Sequence, residues 1–140
     1  MFKHVLIPVD FTSKNAAAIA VASELARQDG AEVTLLHVIE TVENIPVKEM
    51  KSFYDQLERK ASRNISKLRK AFFSSRRGSH VAVIFGKRAN EIVKFAAKKS
   101  VDLIVMSSHK PNLNNRSRDF GTISHRVAII APCAVLLVKS

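Results

Sequence analysis

Five short runs rich in Val, Ile and Leu recur along the chain: residues 3–9 (KHVLIPV), 32–39 (EVTLLHVI), 80–85 (HVAVIF), 101–106 (VDLIVM) and 134–138 (AVLLV). Each has strand length and is apolar almost throughout, the pattern of a strand buried on both faces. Such strands need helices above and below them, and the intervening segments carry helical patterns. Residues 15–27 (NAAAIAVASELAR) are Ala-rich, with Thr12 or Ser13 available as a cap and Gly30 as a stop. Met50, Phe53, Leu57, Ala61, Ile65, Leu68 and Phe72 recur every three or four residues among charged ones. They predict an amphipathic helix of up to about seven turns whose Met and aromatic stripe packs in the core. Residues 89–99 (ANEIVKFAAKK) and 121–130 (GTISHRVAII) supply two further helices. Strand, helix and strand in succession imply right-handed parallel crossovers and hence an open three-layer α/β sandwich with a mainly parallel sheet.

The chain has 140 residues, which suits a single domain, and no linker, repeat or low-complexity tract divides it. Its longest uncharged apolar stretch, residues 127–138, is 12 residues long and contains Pro132, whereas a membrane span needs about 20. Pro8 and Asp10 stand where a signal peptide would continue its apolar core. One cysteine, Cys133, suits the reducing cytoplasm and a core thiol. The four glycines (Gly30, Gly78, Gly86, Gly121) cannot be arranged into a dinucleotide fingerprint or a P-loop. The five histidines show no metal-ligand spacing. The net charge is +11, and residues 71–140 hold twelve basic against three acidic groups, which makes an anionic partner worth seeking there.

In a sheet of this kind ligands bind beyond the C-terminal ends of the strands, where the strand order reverses. Pro8, Val9 and Asp10 come at the end of the first run, Val38 at the end of the second, Gly86 follows the third, and Ser107 to Lys110 follow the fourth, which ends at Met106. These positions should converge. Asp10 either faces the ligand or caps the first helix with Thr12 or Ser13. A polar segment of 14 residues, 107–120, leads to Gly121, Thr122, Ile123 and Ser124 in the first turn of the last helix. Free amides, the positive end of the helix dipole and two hydroxyls there suit a phosphate. Lys110, His109, Arg116, Arg118 and Arg126 place positive charge around it.

The segments VLIPVDFTS, LLHVIE, VDLIVMSSHKP and GTISHRVAIIAPCAVLLVKS, in this order and at these separations, resemble the universal stress protein family over the whole chain. The resemblance implies an adenine nucleotide alpha hydrolase-like fold, a five-stranded parallel sheet of order 3-2-1-4-5 with four helices, usually as a homodimer. In one branch it also implies ATP or another adenine nucleotide in the cleft, with or without magnesium on its phosphates. Asp10 matches the acid that approaches the nucleoside, and Val38 the position whose backbone meets the adenine edge. Gly121 and Thr122 match the last Gly-Ser/Thr of the family's phosphate motif. Ser107 and Lys110 stand where that motif has its first two glycines, and residues 111–120 number ten where it has nine. Ser108, His109, Lys110 and Pro111 resemble a variant found in members that bind adenine nucleotides.

The candidate binding set is therefore Pro8, Val9, Asp10, Val38, Met106, Ser107, Ser108, His109, Lys110, Gly121, Thr122, Ile123 and Ser124, with no catalytic and no metal-ligating residue. No nucleophile and base pair with recognisable spacing is present, so at most slow ATP hydrolysis is expected. The function so implied is a cytoplasmic stress-response regulator, dimeric and nucleotide-binding. The alternative is a dimeric interaction module of the same fold without a ligand. Nucleic acid is not expected as a partner, because the aromatic platform that binds single strands is missing.

Overall fold

The computed structural model describes residues 1–108 and 122–139. The chain runs β1 (His4–Pro8), α1 (Asn15–Asp29), β2 (Glu32–Glu40), a 3₁₀ turn (Val47–Met50), α2 (Lys51–Phe73), β3 (Ser79–Gly86), α3 (Arg88–Lys98), β4 (Leu103–Ser108), α4 (Ile123–Ile130) and β5 (Ala134–Lys139). All five strands form one parallel sheet of order β3-β2-β1-β4-β5. Fold class, strand order and the four helices agree with the sequence.

Alternation along the strands sends successive side chains to opposite faces. Val5, Ile7, Val9, Val33, Leu35, Leu103 and Val105 pack on one face with Ala18, Ile19, Ala22 and Ala26 of α1 and Ile65 and Phe73 of α2. The alanines of α1 bring its backbone close to the sheet. Leu6, Leu36, Val38, Ile104 and Met106 face the other way, against Ala89, Ile92 and Ala96 of α3 and Val127 of α4. Gly30 closes α1 at φ 62°, a left-handed conformation that glycine adopts without steric cost, and its N–H donates to the Ala26 carbonyl.

Several expectations shift. Lys14, not Thr12 or Ser13, occupies the N-cap position of α1, and no side chain caps that helix. The stripe of α2 holds in its middle, where Ala61 and Ile65 are buried, but shifts by one residue at both ends: Tyr54 and Phe73 are buried, while Phe53 and Phe72 are 48% and 38% exposed. Tyr54 is held inside because its hydroxyl accepts from the Val42 N–H at 2.8 Å and its ring meets Phe85 edge-on at 5.8 Å. Strand β4 starts at Leu103 and runs through Ser108, so Ser107 and Ser108 belong to a strand rather than to the polar segment. Asp102, just before it, instead accepts from the N–H groups of Lys3 and His4 at 2.9 and 3.0 Å, which ties the start of β4 to the start of β1. Helix α4 begins at Ile123, with Thr122 as its N-cap accepting from the His125 N–H at 3.2 Å.

Candidate functional site

The cleft originates in the way β1 is paired. Its register with β2 extends to Pro8↔Leu36, but its register with β4 stops at Leu6↔Ile104. Beyond that rung β1 and β4 diverge, and a cavity of about 210 Å³ opens between their C-terminal ends. Ten of the thirteen predicted positions line it: Pro8, Val9, Asp10, Val38, Met106, Ser107, Ser108, Thr122, Ile123 and Ser124. His109, Lys110 and Gly121 lie outside the described residues. Gly86 does not line the cavity; the chain reaches it two residues later, through Arg88.

Lys14, Asn15, Leu36, Arg88 and Ile92 also line it and were not foreseen. Asn15 organises the wall. Its Oδ1 accepts from the N–H groups of Asp10 (3.1 Å) and Phe11 (2.9 Å), and its Nδ2 donates to the Ser107 hydroxyl at 3.4 Å. Ser107 in turn donates to the Lys14 carbonyl at 3.0 Å, closing a bridge from β4 to the start of α1. The two amides that Asn15 holds belong to a bend in which Phe11 sits at φ 66°, unusual for a bulky residue. Its ring lies over His37 at 4.3 Å, and His37 donates from Nδ1 to the Val9 carbonyl at 2.8 Å.

This bend frees the main chain of Val38. Along a parallel strand the N–H and C=O groups of alternate residues point to alternate neighbours. In β2, the Glu32 N–H reaches the Lys3 carbonyl and the Leu36 carbonyl accepts from Val9, so residues 32, 34, 36 and 38 face β1. At Val38, however, β1 has ended, and the Phe11 N–H that might have continued the ladder goes to Asn15 instead. Among the described residues no main-chain hydrogen bond outside the strand ladders takes up the Val38 N–H or C=O, so the two present a donor and an acceptor toward the cleft, the pair that reads the edge of a planar heterocycle.

Burial alone would raise the Asp10 carboxyl, but the hydroxyl and N–H of Thr12, the nearby Arg88 charge and Asn15 outweigh it and hold the group below the usual carboxylate value. Its Oδ1 accepts from the Thr12 hydroxyl at 2.7 Å and from the Thr12 N–H at 3.0 Å. Asp10 is therefore an ionised, fixed acceptor at the cleft. On the opposite side the Ser124 hydroxyl donates to that of Ser108 at 3.4 Å, and Lys139 reaches the same oxygen at 3.4 Å. The N-terminus of α4 opens on this hydroxyl cluster. Among the described residues no three His, Cys, Asp or Glu side chains group as a metal site, and no helix is long and apolar enough to cross a membrane. Cys133 is half-buried, and burial together with the Asp102 charge pushes its thiol up, away from a reactive thiolate.

Residues 1–139 match the model of the universal stress protein family. The chain belongs to that family. This universal stress protein is 27% identical over 149 residues to universal stress protein YxiE of Bacillus subtilis, covering 99% of this chain and 100% of that one. Its fold matches that of UspA from Lactobacillus plantarum with a TM-score of 0.79 at 22% identity, over 98% and 97% of the two chains. Two further matches were solved with nucleotides. One is a universal stress protein in complex with cAMP (TM-score 0.65, 17% identity, 98% and 97% covered). The other is from Archaeoglobus fulgidus, in complex with dAMP (TM-score 0.61, 19% identity, 99% and 98% covered).

Proposed function

We propose that this universal stress protein binds an adenine nucleotide, ATP or AMP, in the cleft between β1 and β4 and acts as a regulatory homodimer in the cytoplasmic stress response. The observation that carries the reading is the convergence of an ionised Asp10, the open main-chain edge of Val38 and the hydroxyl-lined N-terminus of α4 on one cavity. The adenine edge meets the Val38 main chain, with Met106 and Ile92 offering apolar contact. The ribose lies between Asp10 and Ser107, and Asp10 accepts from its hydroxyls. The phosphates extend toward Thr122, Ile123 and Ser124, where the helix amides and dipole favour negative charge. His109, Lys110 and Gly121 complete this end in the reading taken from the sequence.

Magnesium fits only as a passenger of the nucleotide. Among the described residues Asp10 is the one carboxylate lining the cavity, so a metal ion would be held mainly by phosphate oxygens and water, with Asp10 adding charge. Among the described lining residues no nucleophile is paired with a base, and the role proposed is binding, with hydrolysis slow at most. A second copy would pair along β5. That edge strand carries Leu136, which is 36% exposed, beside Ile129 and Ile130 of α4, which are 68% and 49% exposed.

Mass spectrometry of gently purified protein, followed by thermal shift with AMP, ADP and ATP, tests the reading. The expected result is a co-purified adenine nucleotide or a saturable rise in Tm. A protein without nucleotide, unmoved by millimolar additions, favours the ligand-free interaction module.

A further inference from the structure

We propose that the outer face of α2 is a docking surface for the phosphate backbone of duplex nucleic acid. Helix α2 buries Tyr54, Ala61, Ile65 and Phe73, which leaves its opposite side to solvent. On that side Arg59, Arg63, Lys67 and Lys70 follow one another at helical spacing with Lys60 beside them, and all five are exposed. At a rise of about 1.5 Å per residue, positions 59 to 70 span roughly 16 Å. Five cations over that length give one per about 4 Å, close to the ~3.4 Å per phosphate along one strand of a DNA duplex.

Little acidic charge offsets this run. Residues 51–77 contain nine basic and two acidic side chains; Asp55 and Glu58 line a hollow with Arg59 and Arg63 at the start of the run, and among the described residues the ion pair of α2 is Lys51 with Asp55 at 3.7 Å. Among the described residues none of the five cations lies within 4.0 Å of a carboxylate. Arg59 with Arg63 and Arg63 with Lys67 are like-charged neighbours four apart, which weaken an isolated helix and are relieved by a bound polyanion. Exposed Ser62 and Ser66 stand between the cations and can donate to phosphate oxygens. With Arg63, Lys67 and Lys70 they line a shallow hollow on the same face.

The chemistry selects a duplex among polyanions. Phe53 and Phe72, the exposed aromatics of α2, stand at its two ends outside the cationic run, so the run itself offers no platform on which unpaired bases could stack. Ala61 and Ile65 of α2 are in the core and serines stand between the charges, so the run has no apolar stripe to enter a bilayer. The sequence expectation against nucleic acid rested on the missing aromatic platform, which backbone binding to a duplex does not need.

Fluorescence anisotropy of a labelled mixed-sequence DNA duplex of about 20 base pairs, titrated with the whole chain between 50 and 200 mM salt, tests the proposal. The expected result is sequence-independent binding with log K falling linearly against log salt at a slope of about −4. The triple substitution Arg63→Gln, Lys67→Gln, Lys70→Gln should lower that slope by about three and leave the Tm and the nucleotide response unchanged. Three results overturn it: no binding at 50 mM salt, unchanged binding by the triple variant, or binding to phosphatidylserine vesicles without binding to the duplex.

Discussion

Strand β1 is joined to β2 by five register pairs, His4↔Glu32 to Pro8↔Leu36, but to β4 by two, Val5↔Leu103 and Leu6↔Ile104. The first flank is sealed. Ile7, Leu35 and Leu36 are buried along it, and its ladder extends through the Val9 N–H to the Leu36 carbonyl at 2.8 Å. The second flank is open, and what bridges it is polar: Asn15, Ser107 and the Lys14 carbonyl. The same strand thus serves as a core element on one side and as the wall of a cleft on the other. Stability is concentrated on the closed flank and the proposed ligand recognition on the open one, which makes the two separable by substitution.

The largest effect is expected on the closed flank. Ile7→Ala removes a fully buried side chain from the cluster shared with α1 and α2, and chemical denaturation should show a loss of about 2–5 kcal/mol. Nucleotide affinity, measured where the variant remains folded, should change little. Asn15→Ala strikes the boundary between the flanks, because it leaves the part-buried amides of Asp10 and Phe11 without their acceptor. A stability loss of about 1–3 kcal/mol is expected, together with weaker nucleotide binding, since Asp10 loses its fixed position. If Asn15→Ala leaves binding untouched, the bend does not serve the cleft.

Ser107→Leu fills the open flank from a half-exposed position. It should lower nucleotide affinity at least tenfold while moving stability by no more than about 1 kcal/mol. The smallest effect is the pH response. Burial disfavours the Asp10 and Asp102 carboxylates, yet hydrogen bonds hold both below their ordinary values: the Thr12 groups for Asp10, the N–H groups of His4 and Lys3 for Asp102. A carboxyl with a depressed folded value stabilises fully above the unfolded value of about 4, and that contribution fades as pH falls through the folded one. Thermal melts between pH 3 and 6 should therefore decline below about pH 4, and Asp102→Asn should make the decline shallower.

The closed flank was legible in the sequence because strands buried on both faces read as unbroken apolar runs, and residues 3–9 and 32–39 are such runs. The open flank was legible in part. Pro8, Asp10, Val38 and Ser107 are strand ends, and strand ends converge in a parallel sheet. Asn15, Arg88 and Ile92 reach the cleft from the starts of helices, and their inward direction depends on how each crossover docks, for which the sequence carries no periodic signal. Phe53 and Tyr54 are adjacent aromatics about 100° apart on α2, a difference that an apolar stripe cannot resolve but the Val42 amide and the Phe85 ring do. The cationic face of α2 was hidden for a different reason: its basic run lies in residues 1–70, where eleven basic groups stand against nine acidic ones and the net charge hides a local cluster.

Isothermal titration of ATP, ADP and AMP into the wild type and Ser107→Leu, side by side, tests the open flank most directly. The account predicts saturable heat at one site per chain in the wild type and its loss in the variant. No heat from the wild type at millimolar nucleotide, or equal heat from both proteins, would contradict it.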